Sequence, residues 1–245
     1  MKIILLLSFI LFNIFAQDIY AQKKKVKSFS KVKILAIDAG HGGLDNGCSG
    51  KKIKEKTINF AVSQLLGNMI KKKYPNIKIV YTRTKDQYLS IDQRVQTAHQ
   101  AKADLLISIH TNHENSRKVK GTETFIFAEG KPTRIVIETK KKGKKKKTIK
   151  IIPAAKSPKN KIALKRSEDL AKKIELEYVK QIKRNSRGVK KRPLKILRIS
   201  KMPAVLTELG FLSNSEEEVY LSSKKGQEQL AKTIFTAFEQ YLKGK

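Results

Sequence analysis

The sequence holds one cysteine and no tryptophan. A lone Cys48 cannot form an internal disulfide, so the fold must stand on packing, and the thiol reads as free rather than as a metal ligand. The missing tryptophan is not diagnostic. Acidic residues are scarce, 21 Asp and Glu against 54 Lys and Arg, for a formal net charge of +33. Such a chain associates with polyanions at low salt, and charge alone does not choose among nucleic acid, anionic envelope polymers and anionic membrane. Zinc-finger spacing, an aromatic-studded basic sheet and a heptad repeat are all lacking, so no specific nucleic-acid reader is indicated.

The apolar stretch near the start, Ile3 to Phe15, is broken only by Ser8 and Asn13 and falls short of the roughly 20 residues that a membrane span needs. With Lys2 before it and Ile19-Tyr20-Ala21-Gln22 after it, it reads as a signal peptide, residues 1–21, cut after Ala21. The expected protein is exported, to periplasm or cell envelope, with no transmembrane segment once the signal is removed. No cysteine near the start offers a lipid anchor. Residues 22–32 form a basic leader, and 33–245 suit a single domain.

Within that domain, apolar strand-length runs alternate with helical periodicity. Strands are expected at 33–38, 77–81, 105–110, 122–127, around 196–198, and at 203–209. Glu55 opens a helix with Ile58, Val62, Leu65, Leu66, Met69 and Ile70 on one face. Ser90 and Gln93 fit a capping box ahead of a helix burying Ile91, Val95 and Ala98, with His99 at the surface. Ser167 is expected to cap a helix carrying Leu170, Ile174, Tyr178 and Ile182, and a last helix, from about Lys224 to Leu242, turns Leu230, Ile234, Phe238 and Tyr241 inward. The alternation predicts an α/β fold, a mostly parallel central sheet covered by helices on both faces.

One segment departs from the pattern. Residues 131–161 carry thirteen Lys and Arg against the single acid Glu138, a local charge of +12. The segment reads as a mobile basic insert able to hold anionic envelope polymers, with a short hairpin between 133–137 and 148–152.

In an open parallel sheet, sites lie beyond the carboxyl ends of the strands. His41 follows the first strand inside Gly40-His41-Gly42-Gly43, Glu55 opens the next helix, His110 ends the third strand, and Glu208 lies near the end of the last. Two histidines and a carboxylate suffice for a catalytic zinc with an open position, and a spare carboxylate can serve as general base. Each residue also has a plainer reading: Glu55 as complement to a helix N-terminus, His110 bonded to a loop, Glu208 paired with a lysine.

Ordered motifs add to this. Asp38-Ala39-Gly40-His41-Gly42-Gly43, Glu55-Lys56-Thr57-Ile58-Asn59, Thr82-Arg83, Arg94, the run Ala103 to Asn112, Gly121-Thr122-Glu123-Thr124, and the run Pro203 to Asn214 resemble, in order, the zinc-dependent N-acetylmuramoyl-L-alanine amidases. The resemblance covers about Lys33 to Leu242. It implies one zinc ion held by His41, Glu55 and His110, with Glu208 as the catalytic carboxylate. It implies peptidoglycan as substrate, cut at the amide between N-acetylmuramic acid and L-alanine. Ala39 stands where the family often has proline, and the basic insert is outside the shared pattern, so a regulatory protein or an autoinhibitory element stays open. His113 is a rival to His110, which occupies the motif position. The alternatives are an inactive polyanion-binding module and a zinc peptidase acting on stem peptides.

Overall fold

The computed structural model describes residues 32–128, 133–141, 144–152 and 161–244. The expected signal peptide and all but the last residue of the leader lie outside them. In chain order the elements are β1 (Ile34–Ala39), α1 (Glu55–Lys73), β2 (Lys78–Tyr81), α2 (Ile91–Gln100), β3 (Leu105–Asn112), β4 (Thr122–Phe127), β5 (Thr133–Lys141) and β6 (Lys144–Ile152). They continue with α3 (Lys161–Ile182), β7 (Ser186–Arg192), α4 (Lys195–Ile199), β8 (Ala204–Phe211), α5 (Ser215–Ser222) and α6 (Lys224–Lys243).

Six strands form one sheet in the order β2-β1-β3-β8-β4-β7. β2, β1, β3 and β8 are mutually parallel, β4 runs antiparallel to β8, and β7 runs parallel to β4. The fold is therefore the expected α/β architecture with a mostly parallel sheet. Its near-continuous apolar strands follow from coverage on both faces. Alternate residues of each strand feed opposite cores: Leu35 and Ile37 join Ile58, Leu66, Ile174 and Phe238 in one, while Ala36 and Leu106 join Val95, Ala98 and Leu197 in the other. The first core lies under α1, α3 and α6, the second under α2 and α4. Burying each large aliphatic or aromatic side chain contributes roughly 1.5–3 kcal/mol.

Among the expected faces, Ile58, Val62, Leu66 and Ile70 are buried and Leu65 and Met69 partly so; Leu230, Ile234, Phe238 and Tyr241 are buried. The Ser90–Gln93 capping box is present, but Ile91 is exposed, because the first turn of α2 faces the solvent. Two further expectations are corrected. Residues 196–198 belong to α4, not to a strand; the run is short, and Ile196 and Leu197 both pack into the second core. Ser167 lies inside α3, which starts six residues earlier. Its hydroxyl donates to Ala163 O and accepts from Ala204 N, so it ties the helix to β8 instead of capping it. β7 and α5 were not anticipated: β7 is a basic edge strand without apolar alternation, and α5 is a two-turn helix capped by Asn214.

The insert contains a separate two-stranded ladder, β5 on β6, pairing Thr133 with Ile152 and Ile137 with Thr148, the expected hairpin extended on its loop side. The rest of the insert up to residue 160 lies outside the described residues. Among the described residues, no helix is long and apolar enough to cross a membrane.

Candidate metal centre

The site forms where β1 and β3 end. β1 leaves the sheet through Gly40, whose position admits no side chain: a Cβ there would meet the His110 ring at 2.2 Å. His41 follows with φ of 61°, a left-handed conformation uncommon outside glycine. Strain of this kind persists only where the surroundings impose it, and here they are two buried arginines. Arg94 donates to Ala39 O at 2.7 Å and to His41 O at 2.8 Å, and Arg83 donates to Ala39 O at 2.9 Å.

Arg94 is anchored by Asp38, which is fully buried. Asp38 Oδ1 accepts from Arg94 Nη1 at 3.0 Å and Thr82 Oγ1 at 2.6 Å, and Oδ2 accepts from Ser108 Oγ at 2.6 Å. Burial works against the Asp38 charge, yet Arg94 and these hydrogen bonds hold its carboxyl below the usual range. The non-histidine members of the Asp-x-Gly-His motif, with Thr82, Arg83 and Arg94, are thus the frame that aims His41.

His41, Glu55 and His110 offer one ligand atom each, all within 4.8 Å of one another. Glu55 Oε1 lies 2.9 Å from His110 Nδ1 and 3.2 Å from His41 Nε2, and the two imidazole rings stand edge to face with centroids 5.0 Å apart. Glu55 is buried and held by further donors: Thr111 N and Asn59 Nδ2 to Oε1, each at 3.1 Å, and Cys48 N to Oε2 at 2.8 Å. Burial opposes its charge, but both histidines and these donors keep it ionised well below the ordinary carboxylate range. For His41, burial lowers the imidazole, and Glu55 and Asp45 together raise it above its usual value.

The donor set fits a zinc ion. Two imidazoles and a carboxylate converge from three separate segments, leaving room in a tetrahedral shell for a water or substrate atom. His41 Nδ1 donates to Asp45 Oδ2 at 2.8 Å, which fixes the tautomer and leaves Nε2 with its lone pair toward the cluster.

Glu208 sits beside this cluster, paired across strands with His110 on one side and with Glu123 on the other. Its side chain as a whole is half-buried, but Oε2 is enclosed and has no hydrogen-bond partner among the described residues. Burial first, then the nearby Glu55 and Glu123, push its carboxyl well above the ordinary range.

A cleft of about 300 Å3 opens on His41 and His110, walled by Tyr88, Ile91, Leu194, Ile196 and Leu206. His113 is not in the cluster; it is exposed and lines a separate cavity of about 330 Å3 with Lys51, Arg117 and Glu218. His99 is half-buried, with Nε2 accepting from Lys201 N at 3.1 Å. Cys48 is a free thiol whose Sγ lies 3.3 Å from Thr111 O. Asp45 was not anticipated; its only signal was its place four residues after His41.

Comparison with known proteins agrees with this arrangement. A family described as N-acetylmuramoyl-L-alanine amidase matches residues 35–240. A putative N-acetylmuramoyl-L-alanine amidase of Buchnera aphidicola subsp. Baizongia pistaciae is 36% identical over 211 residues, 85% of this chain and 95% of that one. Among solved structures, an N-acetylmuramoyl-L-alanine amidase from Clostridium difficile 630 superposes with a TM-score of 0.69 at 31% identity, covering 87% of this chain and 98% of the other. The catalytic domain of CwlV from Paenibacillus polymyxa gives 0.68 at 29% identity, covering 87% and 99%.

Proposed function

The chain belongs to the N-acetylmuramoyl-L-alanine amidase family, and from that premise we propose that it hydrolyses the amide bond between N-acetylmuramic acid and L-alanine in peptidoglycan, using a zinc ion held by His41, Glu55 and His110 and a proton carried by Glu208. The observation that supports this most directly is the convergence of the two histidines and Glu55 within 4.8 Å at one sheet edge.

When bound there, zinc supplies Lewis-acid polarisation of the scissile carbonyl and lowers the pKa of water from about 15.7 toward roughly 7. The chain's own part is proton handling and orientation. Glu208 accepts the proton of the attacking water and passes it to the departing L-alanine amine. Its Oε2 has no hydrogen-bond partner among the described residues, so taking up a proton there displaces no donor among them. A carboxyl with a raised pKa is also the stronger base once ionised. Asp45 orients His41, and Asn59, Cys48 N and Thr111 N hold Glu55 in place.

Export to the cell envelope, where this substrate lies, completes the reading, together with attachment of the basic insert to anionic envelope polymers. The test is product analysis on purified peptidoglycan. This activity releases peptides beginning with L-alanine and leaves the glycan intact. Peptides shortened at the carboxyl end would refute it in favour of a carboxypeptidase, and binding without any cleavage would refute it in favour of an inactive module.

A further inference from the structure

β7 brings a second polar group to the same face as Glu208. Directly paired residues of antiparallel strands point to the same side, so the Glu123 and Glu208 side chains are neighbours. Glu123 is buried, and its oxygens are fully engaged: Oε1 accepts from Asn112 Nδ2 at 2.8 Å, and Oε2 accepts from Arg187 Nε at 3.0 Å and from Lys190 Nζ. Two cations thus share one carboxylate oxygen.

Arg187 is fixed on a second side, its guanidinium lying 5.1 Å from the centre of the buried Phe211 ring. Only Nε is used for Glu123. The two terminal nitrogens of Arg187 have no hydrogen-bond partner among the described residues, and its side chain is 37% exposed. A guanidinium clamped through Nε, stacked on a ring and open at its outer edge presents a planar fork of the shape that accepts a carboxylate.

We propose that Arg187, held by Glu123 and Phe211 with Lys190 beside it, is a binding site for a carboxylate on the peptide half of the substrate. The inference rests on the amidase reading, which puts the scissile amide next to Glu208. β7 lies two strands from β8, about 10 Å at the usual strand spacing. An extended peptide covers about 3.3–3.6 Å per residue, so the fork meets a carboxylate on the second or third residue past the cut. The opposite wall of the site, with Tyr88, Ile91 and Leu206, is mainly apolar and suits the uncharged glycan side better than an acid.

The experiment uses the zinc-loaded full chain and synthetic peptides that begin with L-alanine and carry, at the second or third residue, either a free carboxylate or the matching carboxamide. Equilibrium binding is measured by calorimetry for wild type, Arg187→Gln and Arg187→Lys, with melting temperatures to confirm folding. Wild type should bind one of the acids about tenfold more tightly than its amide, the size of a charge-assisted hydrogen-bond pair at a half-exposed site. In Arg187→Gln the ratio should fall to about one, and Arg187→Lys, which keeps charge but not the fork, should lie between. Equal affinity of wild type for acid and amide, or a ratio untouched by Arg187→Gln, overturns the proposal. Turnover of an intact muropeptide by wild type is followed in parallel. Cleavage without discrimination sinks the carboxylate site and leaves the amidase reading standing; discrimination without cleavage does the reverse.

Discussion

Exchanging each of the two site glutamates for glutamine should have opposite consequences, because their surroundings differ. Glu55 uses both oxygens. Oε1 accepts from Thr111 N and Asn59 Nδ2 and faces both histidines, and Oε2 accepts from Cys48 N. A glutamine offers one oxygen and one NH2, so its best orientation turns the NH2 toward Cys48 N and strands that donor. An unsatisfied buried donor costs about 1–3 kcal/mol. At about 2–4 °C per kcal/mol for a domain of this size, metal-free Glu55→Gln should melt about 2–12 °C lower than wild type. It should also lose zinc, and with it the rise in melting temperature that a native-state ligand gives by mass action. Glu208 gives up little: Oε2 has no hydrogen bond to break among the described residues, and burial and the charges of Glu55 and Glu123 already work against its ionised form. Glu208→Gln should therefore keep zinc, melt at or above the wild-type temperature, and lose about two to four orders of magnitude in turnover. Elemental analysis, melting curves with and without zinc, and chromatography of released peptides decide the matter. Should Glu208→Gln lose its zinc while Glu55→Gln retains it, the assigned roles are exchanged and the reasoning fails.

Asp38→Asn should destabilise the protein by about 3–5 kcal/mol, because it leaves the buried Arg94 without its counter-charge. Since the Asp38 carboxyl is held below its ordinary 3.8, its contribution is complete above about pH 3.8 and is lost as pH falls through the lower folded value; the acid limb of the melting profile should flatten in this variant. Gly40→Ala should displace the His110 ring, which a Cβ would meet at 2.2 Å, and zinc content should drop while helix content by circular dichroism is kept. Deleting residues 131–161 should weaken co-sedimentation with insoluble wall, an attraction screened over about 8 Å at physiological salt. Turnover of small soluble muropeptides should be spared, and its loss in a folded deletion variant would assign the insert to the site.

What the sequence determined by itself is the set of elements whose burial repeats with a regular period, and the residues at their ends. β1, β3 and β8 are buried at nearly every position and open on or centre on apolar runs because both faces are covered, and helices α1 and α6 show one apolar stripe each. A side chain at the end of such a strand is placed by its register alone, which is why His41, His110 and Glu208 were legible together. Elements stabilised by their neighbours instead of by a pattern were not. β7 is a basic strand held by pairing with β4, and α4 reads as a short strand until Ile196 and Leu197 dock on the second core. The extent of α3 was hidden too, since Ser167 looks like a cap and in fact bonds backward within the helix and across to β8. The tertiary structure alone decided the partners. Arg94 reaches Asp38 across 56 positions, Thr111 N closes on Glu55 across 56, and Arg187 meets Glu123 across 64. Periodicity records how much of a side chain is covered, whereas a hydrogen bond between distant residues depends on where two elements stop relative to each other, and that is settled only when the sheet is assembled.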